Sequence, residues 1–100
     1  MKLLPILLFA TALGAQDLRL VRAIRFENFK RVQPAEILDR FKEREVRLRV
    51  EWPYQQQYAE EARDRIAELL AEKGRPNARI EIATKAVAPQ RVEVRFKLLK

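Results

Sequence analysis

Two pairs of carboxylates in this chain have a spacing that general acid–base chemistry could use. Glu60 with Asp64, and Glu68 with Glu72, are four residues apart, so each pair would share one face of a helix. Such a pair becomes catalytic only where burial or crowding separates its two pKa values. Basic residues surround both pairs and no apolar neighbour would raise a pKa. The pattern therefore favours a solvated helix face.

Residue types that other catalytic chemistries need are missing. The 100-residue sequence has no histidine, which is the commonest general base and metal ligand. It has no cysteine, and therefore no thiolate nucleophile, no disulfide and no site for a lipid anchor. Gly14 and Gly74 are its only glycines, too few for a glycine-rich phosphate loop. The sequence predicts a protein that is not an enzyme, with no catalytic residue, cofactor or metal site.

The N-terminal residues have the layout of a secretory signal peptide. Lys2 is followed by an uncharged apolar run that ends in small residues, which favours cleavage after Gly14 or Ala15. The run is about 13 residues long, whereas a spanning helix needs roughly 20. An uncleaved anchor and a core element are the alternatives. We predict a signal peptide over residues 1–15 and one domain over residues 16–100. The signal peptide predicts export, and the lack of disulfides favours a Gram-negative periplasm as the compartment.

The first part of the domain reads as a strand, a turn and a short helix. Residues 18–26 alternate between apolar and basic types, with Arg22 interrupting the apolar face. Pro34 suits the first position of a helix that ends near Glu43. Its apolar stripe is Ile37, Leu38 and Phe41, and Glu36 with Arg40 has the spacing of an ion pair.

A second alternating stretch separates this helix from the next. Val46, Leu48, Val50 and Trp52 alternate with charged residues, which fits either a strand or an extended linker. Aromatic residues beside a proline at such a corner usually fill a core. Trp52 and Tyr54 are therefore predicted to be packing residues.

The second helix is the most regular element of the sequence. It is predicted from Gln55 to Lys73, and its stripe is Tyr58, Ala62, Ile66, Leu69 and Leu70. Glu61 and Arg65 have the spacing of an ion pair. Gly74 supplies a left-handed closing residue, and Pro76 prevents the helix from continuing.

Two alternating strands complete the domain. One covers Ala78–Thr84 and the other Arg91–Leu98, and a connection over Ala86–Gln90 makes them an antiparallel pair. The order is strand, helix, helix, strand, strand. The sequence thus predicts an α+β fold of β-α-α-β-β order, in which two helices pack on one face of a small three-stranded mixed sheet.

Three segments carry a resemblance to a known family: Val21–Asn28 as the opening strand and turn, Gln33–Ile37 as a helix start, and Leu69–Ile80 before the hairpin. With the order of elements, they resemble the POTRA domain, the polypeptide-transport-associated module of outer-membrane barrel assembly factors and two-partner secretion transporters. The likeness covers nearly all of the predicted domain. Glu27 replaces a usual glycine, and Arg75 a usual aromatic residue.

Such modules usually occur in series before a transmembrane barrel. Barrel strands of about 10 residues each would need many segments beyond Lys100. From this sequence we therefore expect a single POTRA-like module, which is not itself a transporter.

The resemblance implies a protein-interaction function. POTRA domains capture extended segments of outer-membrane client polypeptides, or assembly-machinery proteins, by adding a strand to an open sheet edge. The expected location is the periplasm, in association with the outer membrane. In the family the second strand is left open, so the candidate edge residues are Ala78, Arg79, Ile80, Glu81, Ile82, Ala83 and Thr84. The alternative is an inert edge, protected by Arg79 and Lys85.

The net charge of +7 suggests a second kind of surface. The residues predicted to share a basic outer face of the hairpin, with Glu81 and Glu93 interspersed, are Arg79, Lys85, Arg91, Arg95 and Lys97. Such a face could contact outer-membrane lipids. The alternative function is a stand-alone periplasmic adaptor that binds an anionic ligand or envelope component there. Nucleic acid is excluded as a partner, since no GXXG loop joins the helices and a signal peptide begins the chain.

Overall fold

The computed structural model describes residues 19–99, and the predicted signal peptide over residues 1–15 lies outside them. The elements are strand β1 (Leu20–Glu27), helix α1 (Pro34–Glu43), helix α2 (Gln56–Glu72), strand β2 (Ile80–Ala88) and strand β3 (Arg91–Leu98). Their order is the predicted one. No helix within residues 19–99 is both long enough and apolar enough to span a membrane.

The three strands form one mixed sheet in the order β1-β3-β2. β1 pairs with β3 in parallel, and β2 pairs with β3 in antiparallel orientation. A parallel pair needs a long crossover, which the two helices supply. Both helices pack on one face of the sheet, which confirms the predicted α+β fold.

A β-bulge explains why Arg22 interrupts the apolar face of the first strand. Val21 lies opposite Val92, but the register shifts before Ala23, so Ile24 lies opposite Val94. The extra residue is Arg22, which is exposed. The bulge changes the phase of the alternation, so Val21 is fully buried and Leu20 only half-buried.

Aromatic rings join the sheet to the first helix at the centre of the core. The ring of Phe96 on β3 lies 6.0 Å from that of Phe26 on β1 and 6.5 Å from that of Phe41 on α1. Phe96 is fully buried. The same core contains fully buried side chains of β3 and α2, which include Val92, Val94, Ala59, Ala62 and Ile66.

Both helices end in the same hydrogen-bonded motif. After α2, the N–H of Arg75 donates to the carbonyl of Leu70 at 2.8 Å, and that of Gly74 donates to Ala71 at 3.1 Å. These two bonds define a Schellman motif, whose closing residue has a positive φ. Gly74 has φ +93°, as its predicted role requires. After α1 the equivalent position is Glu45, with φ +52°.

The alternating stretch over Val46–Trp52 is a linker and forms no strand. Its first half is fixed by the burial of Val46 and Leu48. Its second half turns at Glu51, which has φ +70°, and runs along the start of β1. Val50 is therefore exposed, although the alternation would place it with the buried residues.

The packing role predicted for Trp52 is wrong, whereas Tyr54 is buried in the core. Trp52 is 44% exposed. Its carbonyl accepts a hydrogen bond from Val21, and its ring lies 4.6 Å beneath the guanidinium of Arg49. Pairing of the linker with β1 therefore holds the indole at the surface, where a cation covers it.

The two ion pairs predicted within the helices are replaced by others. Arg40 does not pair with Glu36; its guanidinium contacts Glu72 at 2.7 Å and Glu68 at 3.0 Å on α2. Glu36 instead accepts a bond from Lys73 at 2.7 Å. The other pair is also replaced, because Glu61 contacts Arg47 and Arg65 contacts Glu68. Within α1, Leu38 is 46% exposed and so leaves the predicted stripe.

Candidate functional site

Strand β2 forms an open edge of the sheet. β3 borders it on one side, and no strand of residues 19–99 borders it on the other. The predicted edge residues lie here, but the strand begins at Ile80 and continues to Ala88. Ala78 and Arg79 precede it; Arg79 still extends the ladder, because its carbonyl accepts the N–H of Leu99 at 2.8 Å.

The side chains of β2 alternate between the two faces of the sheet. Ile80 and Ile82 lie opposite Leu98 and Phe96 and are half-buried on the helix side. Glu81 and Ala83 point to the outer face by the same register. From Ala83 to Ala88 every residue of the strand is exposed, Thr84 included. These side chains are mostly small, so the edge beyond Ile82 is accessible from both faces.

The far end of β2 is less regular than its beginning. The pairing with β3 shifts between Ala86 and Ala88, which is a second β-bulge. Pro89 and Gln90 alone then form the hairpin turn, and Gln90 has φ +57°. The connection predicted over Ala86–Gln90 is therefore shorter, because the strand continues through the bulge. A regular unpaired edge extends from Ile80 to Ala86.

The other edge of the sheet, along β1, is partly covered by the chain itself. Val21 donates to the carbonyl of Trp52 at 2.9 Å and accepts the N–H of Glu51 at 2.7 Å. Tyr54 donates to the carbonyl of Arg19 at 2.8 Å. The linker thus occupies the beginning of this edge, and of the two edges β2 offers the longer unpaired one.

An apolar groove lies beside β1, between the first helix and the linker. Its volume is about 380 Å³. It is lined by Ile24, Leu38, Phe41, Lys42, Val46, Leu48, Arg49 and Val50. Leu38 and Val50, which are exposed although the sequence pattern would bury them, both line this groove.

The outer face of the sheet carries paired charges. Arg25 on β1 lies opposite Arg95 on β3, and Glu93 lies beside both. The Glu93 carboxylate accepts bonds from Arg25 at 2.9 Å and from Arg95 at 3.1 Å, and Glu93 is 9% exposed. Arg95 also contacts Glu27 at 3.1 Å. The bond from Arg25, and after it that from Arg95, lowers the pKa of Glu93.

The structure brings most of the predicted basic face together, with acidic residues among the cations as expected for Glu81 and Glu93. Arg91 approaches Glu51 at 4.0 Å, and Arg95 is paired as above. Lys85, Lys97 and Arg79 are exposed and form no ion pair within residues 19–99. The carboxylates between them are Glu27, Glu81 and Glu93. Sequence reasoning missed Arg25 and Glu27, although the Ala23-Arg25-Glu27 alternation on β1 could have indicated them.

The carboxylate pairs of the second helix face arginines. Glu68 and Glu72 converge on Arg40, and the bidentate bond to that guanidinium lowers the pKa of Glu72. Asp64 lies 3.8 Å from Arg63. A general acid at neutral pH needs a raised pKa, which is the opposite of what Arg40 produces at Glu72. Within residues 19–99, no three potential ligands are grouped to hold a metal ion.

Comparison with known proteins leaves this site to be interpreted from its geometry. The sequence matches no protein-family model, and no curated protein matches it.

Proposed function

We propose that this chain is a non-catalytic, POTRA-like interaction module of the periplasm that takes part in outer-membrane protein assembly or transport. It binds extended segments of outer-membrane client polypeptides, or of assembly-machinery proteins, by β-augmentation along β2. The observation that supports this proposal is the open edge from Ile80 to Ala86.

The chemistry of this edge suits a receptor with broad specificity. An added strand pairs with backbone N–H and C=O groups, which are the same whatever the sequence of the client. Side-chain preference would come from residues next to the edge. Here Ile80 and Ile82 present apolar surface on the helix side, whereas Glu81 and Lys85 present opposite charges on the outer side. An amphipathic strand with alternating apolar and polar residues matches both faces.

The proposal is tested by titrating the purified protein with a synthetic peptide that has the sequence pattern of an outer-membrane barrel strand. Backbone amide chemical shifts are followed by NMR. We expect changes concentrated along β2, from Ile80 to Ala86, that persist at high salt. Changes confined to Arg91, Arg95 and Lys97 that vanish at high salt would instead support the adaptor function at the basic face. Absence of binding to any client or assembly partner contradicts the proposed β-augmentation.

Proline substitutions make the test specific for backbone pairing. Ala83 and Thr84 are consecutive in a regular stretch of β2, so one directs its N–H towards β3 and the other towards solvent. Proline at the solvent-directed position keeps the ladder but removes a donor from the edge. Both Ala83→Pro and Thr84→Pro are made, and the variant whose NMR spectrum stays native-like carries its proline at the solvent-directed position. That variant should lose peptide binding. If it binds as the wild type does, pairing along β2 is contradicted.

The proposed location has its own test. Mass spectrometry of the protein purified from the periplasm of a Gram-negative host should find an N-terminus at Ala15 or Gln16, which is the result of cleavage by signal peptidase. Retention of Met1 in a cytoplasmic fraction contradicts export but leaves the binding proposal to be decided by the titration.

A further inference from the structure

A basic cavity lies at the end of the sheet where β1 and β3 finish. Its volume is about 410 Å³. It is lined by Asn28, Lys30, Arg31, Arg75, Leu98 and Leu99. Three of these residues are cationic and none is acidic, so the cavity has one sign of charge.

Two tight turns bring the cations together. Asn28 follows β1 with φ +68°, and its side-chain amide donates to the carbonyl of Leu98 at 3.3 Å, which fixes the loop that carries Lys30 and Arg31. From the other side, Gly74 closes α2 and directs the chain into Arg75. Arg75 is half-buried, whereas Lys30 and Arg31 are exposed.

These cations have no counterion among residues 19–99, a property that they share with Arg79, Lys85 and Lys97 on the hairpin. Within residues 19–99, Lys30, Arg31 and Arg75 form no ion pair. The cations that do contact a carboxylate are Arg25, Arg40, Arg44, Arg47, Arg63, Arg65, Lys73, Arg91 and Arg95. Like charges that share a cavity repel one another, and an anion placed between them removes that repulsion.

The surroundings extend the basic cavity in two ways. Arg75 also lines a neighbouring cavity of about 360 Å³, to which Arg79 contributes a further cation. Leu99, which lines the basic cavity itself, has a side chain that is 53% exposed. An anion bound among the cations would therefore lie beside an apolar surface.

We propose that this cavity binds a phosphate group. Guanidinium groups donate paired N–H bonds that match the oxygens of phosphate, and a lysine ammonium adds a compact charge. Arg31, Arg75 and Lys30 supply both kinds of donor at one place. The phosphate belongs to a phospholipid headgroup or to a free phosphate, and the exposed Leu99 suits the apolar part of a lipid. This site is independent of the proposed function at β2, since it uses none of the residues from Ile80 to Ala86.

The test compares two probes on the whole protein, inorganic phosphate and vesicles of phosphatidylglycerol, with phosphatidylcholine vesicles as the neutral reference. Binding of phosphate is followed by NMR of the side-chain Nε–Hε signals of Arg31 and Arg75, and vesicle binding by co-sedimentation. Saturable binding of phosphate shows that the group alone suffices. Binding of phosphatidylglycerol alone assigns the site to a lipid headgroup. Either result supports the proposal.

A matched pair of double variants separates a defined site from general attraction. Arg31→Gln with Arg75→Gln removes two charges from the cavity, and Lys85→Gln with Lys97→Gln removes two charges from the outer face of the sheet. We expect the first variant to weaken binding about ten-fold and the second to change it much less. All four side chains form no ion pair within residues 19–99, so both variants should fold. Equal losses in the two variants, or no binding of either probe, overturn the proposal.

Discussion

At the scale of single residues, backbone conformation rather than side-chain contact decides how the two helices end. Gly74 and Glu45 occupy equivalent positions in two Schellman motifs, and both have a positive φ. Only glycine adopts this conformation without cost. One helix therefore ends at its preferred residue, and the other ends at a strained one.

The two positions should respond in opposite directions to substitution. Gly74→Ala should destabilise the fold by about 1 kcal/mol. No atom lies within 4 Å of the position where the new Cβ would be, so the cost is conformational and not steric. Glu45→Gly should stabilise the fold by up to about 1 kcal/mol, because glycine adopts the positive φ of this position without strain. Glu45 forms no ion pair within residues 19–99, so the substitution loses none.

Urea unfolding of both variants, followed by circular dichroism, measures these changes. Gly74→Asn is a suitable control, since asparagine tolerates a positive φ better than alanine and should lose less stability. A destabilised Glu45→Gly variant would show that the Glu45 side chain has a role that its exposure does not suggest.

Glu93 is the residue whose ionisation matters most on the sheet. Its lowered pKa means that its ion pairs stabilise the fold above the ordinary value of 4.5, and that this contribution is lost as the pH falls through the pKa of the folded state. Glu93→Gln should therefore lower stability at pH 7, because Arg25 and Arg95 are then left facing each other.

The difference in unfolding midpoint between wild type and Glu93→Gln should shrink as the pH is lowered from 7 to about 2. Glu81→Gln on the same face is the control. Glu81 forms no ion pair within residues 19–99, so its variant should show little pH-dependent difference. A difference for Glu93→Gln that is the same at both ends of this pH range contradicts the ionic explanation.

At the scale of elements, one arginine joins the two helices. Arg40 on α1 makes a bidentate contact with Glu72 and a further one with Glu68, both on α2, and its side chain is only 14% exposed. The sequence spacing suggested a pair within α1. Packing of the two helices places the carboxylates of Glu68 and Glu72 next to the Arg40 guanidinium. The bidentate bond to Glu72 is stronger than a single hydrogen bond to Glu36 would be.

Arg40→Ala should cost about 1 kcal/mol, more than an exposed ion pair usually contributes. Arg63→Ala is the matched control, because Arg63 contacts Asp64 only at 3.8 Å and its side chain is 41% exposed. Its loss should stay below about 0.5 kcal/mol. The comparison is made by urea unfolding at low and high salt. Equal losses for the two variants would show that the link between the helices is not stabilising.

At the scale of the whole molecule, stability depends on the small core between the sheet and the helices. Phe96 occupies its centre and contacts the rings of Phe26 and Phe41 from two other elements. A domain of this size buries only about 60 to 65% of its unfolded surface. It therefore has little stability in reserve.

Phe96→Ala should destabilise the protein by about 3 to 5 kcal/mol, which is close to the whole stability of a small domain. We expect largely unfolded protein by circular dichroism and poor dispersion of its NMR spectrum. Leu99→Ala, at an exposed apolar position on the same segment, should remain folded. A Phe96→Ala variant that loses less than about 1 kcal/mol would show that the core lies elsewhere.

The features of the fold that could be predicted depend on residues that are close together in the sequence. The spacing of Ile66, Leu69 and Leu70 predicted a helix, and Gly74 predicted its end. The alternation of Val92, Val94 and Phe96 predicted a strand with one buried face. Less was predictable where an element meets a distant one. The phase change at Arg22 depends on pairing with β3, and the exposure of Trp52 depends on pairing of the linker with β1.

The sequence by itself determined the order of elements and the absence of histidine and cysteine, because these follow from local periodicity and residue type. Only the tertiary structure decided which strand is central and so which edge is open, since backbone pairing joins residues far apart in the chain. It also decided which charges are neutralised. Arg25 and Arg95 meet at Glu93, whereas Lys30, Arg31 and Arg75 meet without a carboxylate among residues 19–99. Coulomb interactions depend on distance in space, which the spacing of residues in the sequence does not give.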